Sequence, residues 1–545
     1  MSPLMKAFVH KTVAVLGASY GGCRAAQILA QQLPSDWRVV LIDRNSHMNH
    51  LYSLPRFAVI PGHEHKAFIP YTHLFVPPKE DAGKQENQEE TSDAQSATSP
   101  DLSRHLILHA QVTSLQPNSL TLSRSFPEYG IDHTLHFDFM VYALGSHLPA
   151  PIDLWGPVGD EANTEKENNS TETISSVHTA SSTNDSPSSS PSSLSPSSDL
   201  STRVDNPEHL AQRMAQVSMN DNPHTKPVQD ILPPGSKAAA IQWLTRFRAR
   251  IERAPSVLVV GGGALGIQYA TDIAEVFPNK PVTLLHSRDQ LLPKFDERMH
   301  DEILETMQSL NVTTILGERL DLSWPGKTVI NEKGESERIV RTLSGREVRA
   351  GMILLCTGQK PNTGLIEEFL PDCIAKEGPS YGYTHVKRSL QVAVPASEAH
   401  KYPSPAPPSH LESSPEKNDN EEKEAGQEET QPELEDDPNL VVPYPHIFAI
   451  GDAADAFGAI KAGHNAFWQG ETAGRNVVRL IKGDDKLEKY NPGPPAIKVS
   501  VGLNKAIFQI NGVVGTKSDV SEDLDTGLMW KFYNIDADEQ MMRTM

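Results

Sequence analysis

Short runs of apolar residues alternate with longer amphipathic segments in two parts of the chain. In the first part, two aliphatic runs flank a segment whose apolar residues recur with helical spacing. The same order returns in the middle of the chain. A strand, a helix and a second strand in this order form a βαβ unit with parallel strands. The predicted strands are 12–16 and 38–43 around helix 22–32, and 256–260 and 281–286 around helix 267–276.

A further helix is predicted directly before the second unit. Ser236 is a residue type that caps helix N-termini. The apolar residues that follow it, Ile241, Leu244, Phe247 and Ile251, fall on one helical face. The pattern as a whole predicts an α/β fold with two Rossmann-like, three-layer domains.

Three segments interrupt this pattern and are predicted to be disordered. Residues 79–103, 160–205 and 401–438 are rich in Ser, Pro, Glu and Asp, and they bury too little apolar surface to offset the entropy of ordering. Their net charges are −5, −6 and −9, which is nearly all of the chain's −21. The rest of the chain is close to neutral and has no basic stripe, so a nucleic-acid surface is not expected.

The first βαβ unit carries a glycine-rich turn that fits a dinucleotide. Gly17 and Gly22 occupy the outer positions of a G-x-G-x-x-G pattern, with Ser19 at the middle position. Such turns let a pyrophosphate approach the backbone and the helix N-terminus. Asp43, at the end of the next strand, is placed to bind ribose hydroxyls, with the adjacent Arg44 as a further candidate. The candidate turn is Gly17-Ala18-Ser19-Tyr20-Gly21-Gly22.

The second βαβ unit carries the complete pattern at Gly261, Gly263 and Gly266. Its second strand ends at His286 without a carboxylate, and Arg288 follows two residues later. Both are candidate nucleotide-binding residues. An acid there would bind the 2′-hydroxyl of NAD and repel the 2′-phosphate of NADP. Its absence permits NADPH, although Arg288 as a solvated surface charge is an equal alternative. The sequence leaves NADH and NADPH both open.

Three further strand-to-turn motifs support the two glycine turns. The first ends at Ala143-Leu144-Gly145, the second contains Gly358, and the third ends at Gly451-Asp452. Asp452 could accept a hydrogen bond from a polyol hydroxyl, and a helix is expected soon after it. Each motif alone is weak evidence for nucleotide binding, but the order of the glycine turns and these motifs along the chain is specific.

This order resembles the pyridine-nucleotide:disulfide oxidoreductase superfamily of two-dinucleotide flavoproteins. The resemblance implies FAD at the first turn, NADH or NADPH at the second, and an NAD(P) domain inserted within the FAD domain. It also implies that Asp452 binds the flavin ribityl chain, that Ala143 and Gly145 lie against FAD, and that the Val112 backbone lies near adenine.

The resemblance gives a domain layout. A small C-terminal α+β region is expected after the second part of the FAD domain. The predicted boundaries are 10–159 (FAD domain, first part), 160–235 (linker), 236–395 (NAD(P) domain), 396–438 (acidic insert), 439–494 (FAD domain, second part) and 495–545 (C-terminal region).

Within the superfamily, the chain is similar to the apoptosis-inducing-factor-like flavoproteins of the AMID, or ferroptosis suppressor, type. The similarity lies in His50, Pro55-Arg56, residues 282–287, Lys461-Ala462-Gly463 and residues 490–493. It implies that Arg56 contacts FAD and that Lys461 lies near the flavin as the catalytic cation, with a plain surface lysine as the alternative. It also implies a quinone-like electron acceptor.

The cysteines argue against a redox dithiol. The chain has three, Cys23, Cys356 and Cys373, and no pair has a CxxC spacing. Cys23 lies at a helix N-terminus, where a thiolate is favoured, but a small packing residue is the better interpretation. We therefore expect electrons to leave directly from the flavin. An oxidoreductase for a specific small metabolite and a flavin-bearing interaction protein are the alternatives.

Several other classes are not expected. The histidines match no metal-ligand spacing, and no apolar run is long enough to span a membrane. The start lacks a signal peptide and has Ser2 where myristoylation needs glycine. These features predict a cytoplasmic protein without a metal, a nucleic-acid partner or a transmembrane segment. They leave peripheral membrane contact and the oligomeric state open.

Overall fold

The computed structural model describes most of the chain outside the acidic segments. The predicted disordered segment 160–205 lies outside the described residues, as do segments 79–103 and 401–438 apart from a few residues at their ends. The described residues are 10–76, 102–156, 232–402 and 435–545.

The first sheet has five parallel strands, one of which comes from a distant part of the chain. Leu16 pairs with Ile42 on one side and with Tyr142 on the other, so three strands end at the same level. The turns that follow these strands therefore share one edge of the sheet. In spatial order the strands are Ile447–Ala449, Phe139–Tyr142, Lys11–Leu16, Trp37–Asp43 and Leu106–His109.

The second sheet has four parallel strands and repeats this register. Val260 pairs with Leu285 and with Leu355, as Leu16 pairs with its two neighbours in the first sheet. The chain forms this sheet between the Phe139–Tyr142 and Ile447–Ala449 strands of the first sheet, which confirms the predicted insertion of one domain in the other. In spatial order its strands are Thr313–Ile315, Val282–Leu285, Val257–Val260 and Met352–Leu355.

The smaller sheets are two- or three-stranded. The C-terminal one, Ile497–Ser500, Lys505–Ile510 and Val513–Ser518, is followed by two short helices, as predicted for an α+β region. Two other antiparallel sheets have three strands each. These are Val112–Gln116, Ser119–Leu122 and Thr134–His136, and Lys327–Ile330, Ser336–Arg341 and Glu347–Ala350. The paired short strands are His47–Asn49 with Phe68–Pro70, Ser146–His147 with Lys360–Pro361, Thr384–His385 with Ala454–Asp455, and Val394–Pro395 with Leu440–Val441.

The two glycine turns lead into helices that begin slightly earlier than predicted. Helix α1 starts at Tyr20 and helix α4 at Ala264, because the last residues of each turn already have helical geometry. The predicted cap of helix α3 is confirmed, since the Ser236 hydroxyl accepts a hydrogen bond from the Ala239 N–H at 3.2 Å. The α-helices are α1 (Tyr20–Gln32), α2 (Leu54–Phe57), α3 (Lys237–Arg253), α4 (Ala264–Val276), α5 (Glu297–Ser309), α6 (Gly364–Phe369), α7 (Gly463–Ile481), α8 (Thr526–Phe532) and α9 (Glu539–Thr544).

Two large cores surround the two sheets, and one segment crosses between them. Helices α1 and α7 pack closely over the first sheet, because a Cβ on Gly470 would overlap the Gly21 carbonyl oxygen. Leu54, Phe57 and Phe68 belong to the chain that builds the first sheet, yet they pack in the core of the second sheet. The packing of this segment in the second core joins the two nucleotide-binding domains.

Candidate functional site

The first glycine turn has the geometry that a dinucleotide needs. Gly17 has a positive φ of 96°, and a Cβ there would lie 2.5 Å from the Ala143 carbonyl oxygen. A Cβ on Gly22 would overlap the Gly17 carbonyl oxygen. Both positions therefore require glycine. The Ser19 side chain makes no capping bond to helix α1, which leaves the first N–H groups of that helix for an anion.

The second glycine turn reproduces this arrangement residue by residue. Gly261 has φ 124°, and a Cβ there would lie 2.8 Å from the Cys356 carbonyl oxygen. A Cβ on Gly266 would overlap the Gly261 carbonyl oxygen. Gly263, the N-cap of helix α4, has no neighbouring atom within 4 Å of its Cβ position, so the space beside it is open. A phosphate can approach the backbone there.

In each βαβ unit, a polar side chain at the end of the second strand accepts a hydrogen bond from the backbone of the glycine turn. Asp43 Oδ2 accepts a hydrogen bond from the Ala18 N–H at 2.7 Å, and its Oδ1 accepts one from the Asn45 N–H at 2.7 Å. Burial raises the pKa of Asp43, and these two hydrogen bonds oppose that rise. In the second turn, His286 Nδ1 accepts from the Gly262 N–H at 3.0 Å.

Arg44 and Val112 lie close to Asp43. The Arg44 guanidinium stacks on the Trp155 ring at 4.6 Å. The Ala110 N–H donates to the Asp43 carbonyl at 2.9 Å, and Val112 begins the following strand two residues later. The segments predicted to bind the adenosine part of FAD, at Asp43-Arg44 and before Val112, are therefore neighbours in the structure. Contact of the Val112 backbone with adenine stays a prediction.

The three strand-to-turn motifs meet at Asp452. Asp452 Oδ2 accepts a hydrogen bond from the Ser146 hydroxyl at 2.9 Å and another from Gln359 Nε2 at 3.0 Å. Ser146 follows the first motif and Gln359 belongs to the second. Gly145 and Gly358 have φ values of 64° and 85°, and no atom lies within 4 Å of either Cβ position. The arrangement leaves open backbone on both sides of the carboxylate.

Asn362 fastens the first and second motifs to each other. Its side-chain amide donates to the Leu144 carbonyl at 2.9 Å, and its N–H donates to the Gly145 carbonyl at 2.9 Å. The Tyr142 hydroxyl donates to the Asn362 carbonyl at 2.6 Å. These bonds fix the turn of the second domain against the turn of the first.

Lys461 lies between Asp452 and helix α7. Its ammonium donates to the Ala454 carbonyl and sits 4.3 Å above the Tyr383 ring. Burial lowers the pKa of Lys461, and the nearby Asp452 and Asp455 oppose that change. The helix expected soon after Asp452 begins only at Gly463, because a single 3₁₀ turn and a short strand come first. Lys461 thus directly precedes the N-terminus of α7.

Gly451 and Tyr20 connect this centre to the first glycine turn. The Gly451 N–H donates to Gln469 Oε1 at 2.7 Å. The Tyr20 ring lies against Gly463, where a Cβ would be 2.8 Å from Tyr Cδ2, and the Tyr20 hydroxyl lies 3.1 Å from His50 Nδ1. The first turn and the start of helix α7 are therefore in direct contact.

Arg56, a candidate FAD contact, lies in a buried ion pair between the two domains. Its Nε and Nη2 donate to the Asp272 carboxylate at 2.8 and 3.1 Å. Its remaining N–H groups donate to the carbonyls of Gly502 (2.7 Å), Leu503 (3.2 Å) and Glu522 (3.5 Å). The side chain is fully buried, and its donors are all engaged with the protein. Arg56 therefore joins the two domains, and no guanidinium N–H is left to donate to FAD. Contact of Arg56 with FAD stays a prediction.

Sequence reasoning missed three polar residues of this centre. Ser146 and Gln359 bind Asp452, and Gln469 binds Gly451. Ser146 directly follows the first motif and Gln359 belongs to the second, so their proximity to the small turns was a usable signal. Gln469 lies one and a half turns into helix α7, and only the three-dimensional packing reveals it.

All three cysteines are free. Cys23 is buried in helix α1, and burial raises the pKa of its thiol. This environment favours a packing role over a reactive thiolate. Within residues 10–76, 102–156, 232–402 and 435–545, no three metal-ligating side chains cluster, and no helix has the length and apolarity to cross a membrane.

A family model described as pyridine nucleotide-disulphide oxidoreductase matches residues 235–396. Fe-regulated protein 8 of Mycosarcoma maydis is 35% identical over 543 residues, which are 98% of each chain. Ferroptosis suppressor protein 1 of Homo sapiens is 27% identical over 54% of this chain and 65% of its own. Apoptosis-inducing factor homolog B of Dictyostelium discoideum is 24% identical over 92% of this chain and 90% of its own.

Two Rossmann-like glycine turns, brought together at a shared carboxylate, define a two-dinucleotide flavoprotein. The chain belongs to the pyridine nucleotide-disulphide oxidoreductase family, as Fe-regulated protein 8 relates to it over nearly its whole length, and it is similar to ferroptosis suppressor protein 1 and apoptosis-inducing factor homolog B. It is an oxidoreductase that uses FAD and a nicotinamide nucleotide. The open backbone at Gly263 and at Gly145 fits these groups.

Proposed function

We propose that the protein oxidises NAD(P)H and delivers the electrons to a quinone-like acceptor. The balanced reaction is NAD(P)H, a proton and quinone to NAD(P)⁺ and hydroquinone. The bound flavin supplies the hydride chemistry. The observation that carries the proposal is the meeting of Ser146, Gln359 and Asp452, because it sets the turns of both nucleotide sites side by side.

The residues of the site are assigned as follows. Asp43 binds adenosine ribose hydroxyls in the first site, and Asp452 binds a ribityl hydroxyl with the oxygen that Ser146 and Gln359 leave free. The N-termini of helices α1 and α4 receive the two pyrophosphates. Lys461 and the N-terminus of α7 face the flavin and stabilise negative charge on it.

The cysteines and one surface support a direct transfer to an apolar acceptor. Cys23 is buried and free, so no thiol pair at the first turn stands between flavin and acceptor. Helix α7 carries Phe467 and Trp468 one turn after its start, and the Phe467 ring packs on Phe532 at 5.5 Å. Trp468 and Phe532 are 55% and 46% exposed, which leaves an aromatic surface beside the site.

Anaerobic stopped-flow absorbance of the FAD-loaded protein tests this function. NADH or NADPH should bleach the flavin band rapidly, and a short-chain ubiquinone added afterwards should restore it. Restoration by oxygen but not by quinone would overturn the choice of acceptor and favour a specific small metabolite. A yellow protein that neither nucleotide bleaches would overturn the hydride transfer itself and favour a flavin-bearing interaction protein.

Replacement of Lys461 with methionine should make the flavin midpoint potential more negative and slow flavin reduction roughly 10- to 100-fold. The reason is that the reduced flavin loses a nearby cation in a partly buried site. Redox titration of the purified variant measures the potential without turnover. Lys482→Met is the matched control, because Lys482 is exposed at the far end of the same helix. An unchanged potential in K461M would show that Lys461 does not stabilise the reduced flavin.

A further inference from the structure

The two nucleotide sites contain the same structural device with opposite chemistry. In each, the side chain at the end of the second strand accepts a hydrogen bond from the N–H directly after the first glycine. Asp43 accepts from Ala18 at 2.7 Å, and His286 accepts from Gly262 at 3.0 Å. The position that selects the ribose in the first site is therefore occupied by an imidazole in the second.

The hydrogen bond from Gly262 determines the proton position on His286. An imidazole nitrogen that accepts must hold a lone pair, so the proton of neutral His286 lies on Nε2. Burial lowers the pKa of His286, which favours this neutral form. His286 Nε2 is buried, and a backbone interaction with Gln290 opposes the lowering of the His286 pKa. The end of this strand therefore carries a neutral side chain where the first site carries a carboxylate.

The surroundings of His286 are positively charged. Arg288 is exposed two residues later, and its charge also lowers the pKa of His286. Two acids stand in neighbouring segments: Asp289 follows Arg288, and the Glu318 N–H donates to the His286 carbonyl at 3.1 Å. The Glu318 carboxylate accepts from Arg346 at 2.7 Å, and Asp289 Oδ1 lies against the backbone of Gly317. No carboxylate therefore occupies the place that Asp43 fills in the first site.

We propose that the second site selects NADPH over NADH, with Arg288 recognising the 2′-phosphate and the neutral His286 standing in place of a carboxylate. A 2′-phosphate offers acceptor oxygens and negative charge to the guanidinium, and an imidazole does not repel it as a carboxylate would. A ribose 2′-hydroxyl offers the guanidinium no charge. The inference rests on the proposed nicotinamide nucleotide site at Gly261–Gly266, and it names the nucleotide that this site takes.

Calorimetric binding of 2′,5′-ADP and 5′-ADP to the FAD-loaded protein tests the inference without turnover. The unsubstituted protein should bind 2′,5′-ADP about 10- to 100-fold more tightly, as expected for one or two charge-assisted hydrogen bonds. Arg288→Ala should remove most of this preference and leave 5′-ADP affinity unchanged. Arg298→Ala is the control, because Arg298 is also exposed but pairs with Asp296, the N-cap of helix α5.

His286→Asp copies the first site into the second. Asp43 shows that a carboxylate can accept the N–H directly after the first glycine. The His286 ring packs closely on Gly262, where a Cβ would lie 2.6 Å from the ring, and the smaller aspartate fits in that space. H286D should reverse the preference towards 5′-ADP, and stopped-flow reduction should then favour NADH. His286→Asn, which keeps the side chain neutral, should only weaken the preference.

The outcomes separate this inference from the proposed function. Equal binding of both nucleotides, no binding of either, or a preference that R288A and H286D leave intact would each overturn the inference. A preference for 2′,5′-ADP that both variants abolish supports it, even if NADPH fails to bleach the flavin. That last result would contradict the hydride transfer and leave the nucleotide selection standing.

Discussion

Substitution of Arg56 with methionine should lower the free energy of unfolding by about 3–5 kcal/mol. Arg56 and Asp272 are both fully buried, and the variant leaves the carboxylate without its counter-ion. It also removes the donors of the carbonyls at Gly502 and Leu503. Urea denaturation followed by tryptophan fluorescence measures this change, because Trp530 is fully buried in the C-terminal region.

A double variant distinguishes a lost charge pair from lost packing. Arg56→Met combined with Asp272→Leu removes both charges and should recover part of the stability, since an apolar pair can replace a buried ion pair. Recovery should be incomplete because the carbonyls stay without donors. Arg298→Met breaks an exposed ion pair and should change stability little. If R56M resembled R298M, the junction between the domains would not depend on Arg56.

Substitution of Gly266 with alanine should weaken NAD(P)H binding and slow flavin reduction roughly 100-fold, while FAD stays bound. The new Cβ would overlap the Gly261 carbonyl oxygen, so helix α4 must move away from the turn. The first site has its own glycines at Gly17 and Gly22 and should not change. Stopped-flow reduction and the flavin content of the purified variant measure the two effects separately.

Two further glycines make this test specific. Gly263→Ala adds a Cβ into open space, so it should preserve stability and still weaken nucleotide binding, because the methyl group stands where a phosphate approaches. Gly493→Ala also adds a Cβ into open space, in the segment after helix α7 and outside the sequence of both turns, and should have no effect. Normal reduction in both G266A and G263A would contradict the assignment of the second site.

The sequence predicted the repeated elements well because local signals define them. Apolar runs predicted the parallel strands, and the glycine patterns predicted turns that do require glycine at Gly17 and Gly261. Ser236 predicted the helix cap that forms. In each case the interactions lie within a few residues along the chain, so the pattern holds the relevant information.

The contacts between distant segments could not be predicted in the same way. Arg56 has the polar character of a ligand contact, and no local pattern indicates that its partner is Asp272. The pairing of His286 with Gly262 is similar, because a histidine at a strand end does not reveal which nitrogen accepts. The approach of Gln359 to Asp452 depends on how two domains pack. These three contacts become visible only when the chain is folded.

The buried ion pair and hydrogen bonds of Arg56 have a consequence for the synthesis of the protein. Arg56 leaves the ribosome 216 residues before Asp272 and 446 residues before Gly502. During most of translation, its guanidinium therefore lacks the acceptors that permit its burial. Arg56 therefore cannot be buried with all of its partners until Glu522 has been made, so this junction between the domains closes late in synthesis.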